Sequence, residues 1–120
     1  MTAEASIVSD PVGAATLETM AQAHRYNAWQ VARLAPWLGR RVCEIGSGIG
    51  NISRLLADRE PELLVLTDQN PAYLERLRSR FQGRPGVVIE ELTLPDTGAT
   101  RRFREQALDT VVALNVLEHI

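Results

Sequence analysis

The stretch Val42-Cys43-Glu44-Ile45-Gly46-Ser47-Gly48-Ile49-Gly50-Asn51 places three glycines at alternate positions, with a carboxylate two residues ahead of the first. Glycines so spaced let a loop turn tightly and bring its backbone close to a ligand. The dinucleotide fingerprint G-x-G-x-x-G/A requires a small residue where Asn51 stands, so the match fails at its third position. Glu44 sharpens the distinction, because a carboxylate beside the loop repels a pyrophosphate and attracts an ammonium or sulfonium group. The helix start near Gly50 adds free backbone N–H groups and a positive dipole end, which suit a carboxylate such as that of an amino acid. The ligand these features select is zwitterionic or cationic.

Asp68 follows Gly50 by 18 positions, at the end of the next apolar run. An acidic residue there accepts both hydroxyls of a ribose; its plain structural reading is a cap on the helix that follows. An amino-acid end, a positive centre and a nucleoside together describe S-adenosylmethionine. The alternatives are an NAD- or flavin-binding oxidoreductase domain and a non-catalytic cofactor-binding or interaction module.

Helices and strands must bring these residues together. Met1 to Ala15 mixes small and polar residues with Pro11 and Gly13 and reads as a flexible tail, leaving residues 16–120 as the domain. Leu17, Met20, Ala21, His24, Ala28 and Val31 recur at helical spacing and predict a helix from about Thr16 to Arg33, with His24 a core histidine on the apolar stripe. Arg41–Ile45 reads as a strand entering the glycine loop, followed by a helix with Ile52, Leu55 and Leu56 on one face. Leu63–Thr67 is a continuous apolar run of buried-strand type, ended by Asp68. Asn70-Pro71 supplies an N-cap and a first-turn proline for a helix through Tyr73, Leu74, Leu77 and Phe81. Val87–Leu92 is a third strand, a short helix follows near Thr100 to Gln106, and Leu108–Leu114 is a fourth strand.

Strands alternating with helices imply parallel pairing through right-handed crossovers, hence a Rossmann-like, doubly wound α/β sheet behind a leading helix. The glycine loop, Asp68, Thr93 and Asn115 then fall at the carboxyl ends of four strands, where such sheets bind ligands.

Composition limits the rest. A net charge of −2 on 120 residues gives no basic excess for nucleic acid. No apolar run is long enough to span a membrane and no secretory signal is visible, so the expected location is the cytoplasm. All thirteen basic residues are arginine, which removes lysine Schiff-base chemistry and the Walker-type phosphate loop. Cys43, the one cysteine, reads as an inert core residue, and two distant histidines make no metal site. Arg76, Arg78, Arg80 and Arg84 read as a solvated helix face.

Glu44-Ile45-Gly46-Ser47-Gly48-Ile49-Gly50, Asp68 and Leu108 to Ile120 resemble the first half of a class I S-adenosylmethionine-dependent methyltransferase, from about Tyr26 onward. The resemblance implies methyl transfer from S-adenosylmethionine to O, N or C of an acceptor expected to be a small molecule. It implies cofactor contacts from Glu44, Gly46, Ser47, Gly48 and Gly50 for the methionine part and from Asp68 and Gln69 for the ribose. Asn115 then lies near the methyl group, and Tyr26, with Trp29, either closes over the ligand or packs in the core. Thr93 stands where many members carry an adenine-binding aspartate, with Glu91 inside the strand. His119, beside Glu118, is a weak candidate for a general base; the ordinary reading is a helix start. Such a domain normally continues with three more strands. The fourth strand is therefore expected to be a hydrophobic edge, covered by a missing C-terminal portion or by self-association.

Overall fold

The computed structural model describes residues 11–114, with side chains from residue 19 onward. Helix α1 spans Pro11–Leu34, and a 3-10 turn, Ala35–Trp37, leads to strand β1, Arg41–Ile45. Helix α2 (Asn51–Ala57), strand β2 (Leu63–Asp68), helix α3 (Pro71–Arg80) and strand β3 (Val87–Glu91) follow. Helix α4 (Ala99–Glu105) and strand β4 (Thr110–Ala113) complete the described elements. The strands form one parallel sheet in the order β3-β2-β1-β4. The chain therefore moves outward from β1 through β2 to β3, then returns to the other side of β1, which makes the carboxyl end of β1 the switch point.

Alternation along the strands separates two faces. Val42, Leu64, Leu66 and Val112 point to one face and join Val31, Leu56, Leu74, Leu77 and Phe81 in the main core. Cys43 and Val65 lie on the other face, fully buried, whereas Val88 and Val111 on that face are 40% and 48% exposed. Among the described residues β4 lies at an edge of the sheet, as the hydrophobic-edge reading expects. No helix among the described residues is long and apolar enough to cross a membrane.

The leading helix departs from the sequence reading in two respects. It begins at Pro11 rather than near Thr16, with proline at the first helical position, where its missing N–H costs nothing. Its apolar stripe also fails to pack along its length. Val31 is buried and Leu34 partly so, but His24 and Ala28 are exposed and Met20 is 52% exposed. His24 is thus a surface residue, not a core histidine. The reason is length: 24 residues of helix extend about 36 Å, whereas the seven-residue helix α2 against which it packs extends about 10 Å. Most of the leading helix therefore lies beyond its support.

A latch at the amino ends of β1 and β4 accounts for Gly39 and for the Asp109 side chain. The Asp109 Oδ2 accepts the backbone N–H groups of Arg40 and Arg41 at 3.0 and 3.1 Å, and Oδ1 accepts the Thr110 hydroxyl at 2.7 Å. Gly39 N–H donates to the Thr110 hydroxyl oxygen at 2.9 Å, and a Cβ on Gly39 would collide with the Asp109 carboxylate. The Thr110 bond, then the Arg40 amide, hold the Asp109 carboxyl below its ordinary range. A folded-state pKa below the unfolded one gives stability that is present above the unfolded value and lost as pH falls through the folded one. Asp109→Asn is therefore expected to lower the melting temperature at pH 7 and to lose that difference progressively as pH falls below the ordinary aspartate range and through the lower folded value. Coincident melts of the two proteins at pH 7 would show that the latch holds nothing.

Candidate functional site

The glycine loop leaves β1 at the switch point, and its backbone is committed to positive φ: 72° at Gly46, 59° at Gly48 and 94° at Gly50. β-Branched or bulky residues resist such angles, which explains the alternate glycines better than any demand for small volume at each. Gly48 and Gly50 differ in the space beside them. A Cβ on Gly50 would meet Phe81 and Leu77 at 3.0 and 3.1 Å, while one on Gly48 would meet nothing within 4 Å. Gly50 thus turns its back on α3, and Gly48 faces open space.

Strand β2 holds the loop from the side. Ser47 N–H donates to the Thr67 carbonyl at 2.8 Å, and Gly48 N–H donates to Asp68 Oδ2 at 2.9 Å. The other carboxylate oxygen, Oδ1, accepts Asn70 N–H at 2.9 Å. Asp68 is consequently buried, 9% exposed, at the end of β2 with both oxygens engaged once by backbone amides. Each oxygen keeps further acceptor capacity. The helix-cap role belongs to Asn70 instead, whose Oδ1 accepts Ala72 N–H at 2.9 Å ahead of Pro71.

Behind the loop lies Glu44. Its side chain is on the core face of β1, 3% exposed, and Oε1 accepts the hydroxyl of the fully buried Ser53 on α2 at 2.5 Å. Burial raises the Glu44 pKa, opposed by the hydroxyls of Ser53 and Ser47. The carboxylate is thus set beneath the loop rather than on its surface. Ser53 escaped the sequence reading because a serine two residues into a short helix has no signature of its own.

The sequence matches the family described as methyltransferase domain over residues 43–120. The chain belongs to the methyltransferase domain family. Solved structures agree with this methyltransferase fold. The methyltransferase domain of bacterial CtHen1-C aligns with a TM-score of 0.62 and 24% identity over 81% of this chain and 52% of its own. That of bacterial CtHen1-CN aligns with a TM-score of 0.60 and 25% identity over 79% of this chain and 51% of its own. A protein solved in work on conversion of a disulfide bond into a thioacetal group during echinomycin biosynthesis aligns with a TM-score of 0.61 and 24% identity, over 78% of this chain and 37% of its own. The chain therefore spans between about a third and about half of these structures' lengths. A search of curated proteins gives no match. The resemblance to class I S-adenosylmethionine-dependent methyltransferases read from the sequence is borne out in family and fold.

The remaining expected residues of this methyltransferase domain scatter more widely. Gln69 is exposed beside Asp68, and Thr93 is exposed in the loop after β3, which Leu92 N–H ties to the Asp68 carbonyl at 3.0 Å. Glu91 pairs with Asp68 in register and is the last residue of β3, as expected. Tyr26 is 54% exposed, and its ring stacks on Trp29 at 5.9 Å, with the Arg33 guanidinium 5.6 Å from the Trp29 ring centre. Neither aromatic residue packs in the core, and Tyr26 takes no part in the hydrogen bonds that hold the loop. Asn115, Glu118 and His119 lie outside the described residues. Cys43 is inert, its thiol pushed up to about 12 by burial and then by the Glu90 and Glu44 carboxylates. A cavity of about 150 Å³, lined by Leu38, Gly39, Val42, Leu56, Arg59 and Leu64 among others, sits at the opposite end of the strands.

Proposed function

We propose that the glycine loop and Asp68 form the seat for S-adenosylmethionine in a methyltransferase acting on a small-molecule acceptor. The observation that carries this reading is the Asp68 carboxylate, bonded to Gly48 N–H at the switch point and still able to accept two hydroxyls. Gly48, open on its outer side, gives the loop room to lie against an amino-acid moiety. When ionised, the buried Glu44 carboxyl places negative charge behind the loop, which favours an ammonium or sulfonium and disfavours a pyrophosphate. When bound, the cofactor supplies a methyl group already activated by its positive sulfur. What the chain's own residues contribute is placement: Asp68 fixes the ribose end, the loop backbone fixes the amino-acid end, and Glu44 sets the sign of the local field. The absence of a basic excess in the sequence supports a small acceptor over nucleic acid.

Calorimetric titration of the chain with S-adenosylhomocysteine and, separately, with NAD tests this. The first is expected to bind and the second not; the reverse outcome would overturn the reading. Glu44→Gln is expected to weaken S-adenosylhomocysteine binding while leaving the fold intact. A carboxyl whose folded pKa is raised contributes stability fully present below its unfolded pKa and lost as pH rises through the folded one. The glutamine variant, which cannot ionise, should therefore melt no lower than the parent at pH 7. Unchanged affinity in Glu44→Gln would remove Glu44 from the site.

A further inference from the structure

We infer that Arg80 is a positioning residue for the glycine loop, holding the loop's far side from the end of α3. The inference rests on the cofactor seat proposed above. β2 grips the loop only at Ser47 and Gly48, through the Thr67 carbonyl and Asp68. The half of the loop that leads into α2 is held from the other direction. Arg80 Nη1 donates to the Ile49 carbonyl at 2.8 Å and to Asn51 Oδ1 at 3.2 Å. Its stem also lines the wall against which Gly50 rests, the Cδ lying 3.5 Å from where a Gly50 Cβ would be.

Two features of the sequence acquire a reason from this arrangement. Asn51, which breaks the dinucleotide spacing, is the residue whose side chain receives Arg80. Arg80 is exposed, as the solvated-face reading has it, but whereas the neighbouring Arg78 pairs with Glu75 at 3.8 Å on its own helix, Arg80 reaches across to the loop. Ile49, Arg76, Ser79 and Arg80 line the shallow hollow between loop and helix, so the contact sits at the loop rather than out on the helix surface. A planar guanidinium presents its donors in a fixed fork that can serve two acceptors while its stem packs; a lysine ammonium keeps the charge and three donors, but on a compact head without that fork. Loss of the donors should free Ile49 and Gly50 to move away from the geometry in which Gly48 N–H meets Asp68.

Three variants separate positioning from general stability. Arg80→Met keeps the packed stem and removes the donors, Arg80→Lys restores a cationic donor, and Arg84→Met breaks the Arg84–Asp58 bridge at 2.9 Å, which does not touch the loop. Arg80→Met is expected to weaken S-adenosylhomocysteine about five-fold, in line with a charge-assisted bond at an exposed site. Arg80→Lys should recover at least half of that loss on a logarithmic scale, and Arg84→Met should bind as the parent does. In the absence of any ligand, hydrogen exchange at the Gly48 to Asn51 amides should be faster in Arg80→Met and unchanged in Arg84→Met. Equal affinity in parent and Arg80→Met, or exchange at these amides unaffected by Arg80→Met, overturns the inference. Because exchange is read without ligand, failure of the parent to bind S-adenosylhomocysteine would overturn the cofactor seat while leaving the role of Arg80 to be decided by the exchange rates.

Discussion

Asp68→Ala is expected to reduce affinity for S-adenosylhomocysteine by about a hundredfold, since two bonds from hydroxyls to a carboxylate at about 1.5 kcal/mol each sum to about 3 kcal/mol. The side chain serves the loop as well as the ligand. Alanine would release Gly48 N–H and Asn70 N–H, the two amides now 2.9 Å from its oxygens, so the loop would lose its link to β2 along with the ribose acceptor. Asp68→Asn separates these roles. The amide oxygen can keep one backbone donor, but the NH2 group cannot accept the other, and the negative charge is gone. Affinity between that of alanine and that of the parent is therefore the expected result, measured by calorimetry beside thermal melts. A change of less than about three-fold in Asp68→Ala would remove Asp68 from the ribose site, because even one charge-assisted bond exceeds that.

The fold and the outline of the candidate site were legible because their signals are local. Glycines at alternate positions, a carboxylate two residues ahead and an acidic residue closing the next apolar run all lie within short windows, and the strand boundaries of β1 matched the reading residue for residue. What stayed hidden depends on pairs distant in sequence. Arg80 reaches Ile49 across 31 positions, and Gly39 is a glycine because Asp109, just ahead of β4, occupies the space beside it. No periodicity encodes such contacts, since they exist only once the sheet order is set. The leading helix failed for a different reason. Helical spacing shows which residues share a stripe, but whether the stripe is buried depends on the extent of the surface beneath it, and the seven-residue α2 against which α1 packs is too short to cover it.

The three glycines are also not equivalent, and stability measurements should divide them. Gly50→Ala is expected to cost about 2–4 kcal/mol, adding about 1–2 kcal/mol for a side chain at left-handed φ to the cost of overpacking. The overpacking follows from position: the new methyl would press at 3.0 Å on Phe81 and 3.1 Å on Leu77, and both are buried, so neither can swing into solvent. Gly48→Ala meets nothing within 4 Å. It should cost only the conformational part, about 1 kcal/mol once the smaller freedom of the unfolded alanine chain is set against it. Binding should reverse the order. Gly48 is the residue bonded to Asp68 and open toward the ligand side, so its methyl would stand where the proposed cofactor approaches, and Gly48→Ala should lose more affinity per unit of stability lost. Denaturant midpoints and S-adenosylhomocysteine titrations on the same two proteins read both quantities. Equal stability losses would mean that α3 yields to Gly50→Ala and that the third glycine is required for its backbone angle alone.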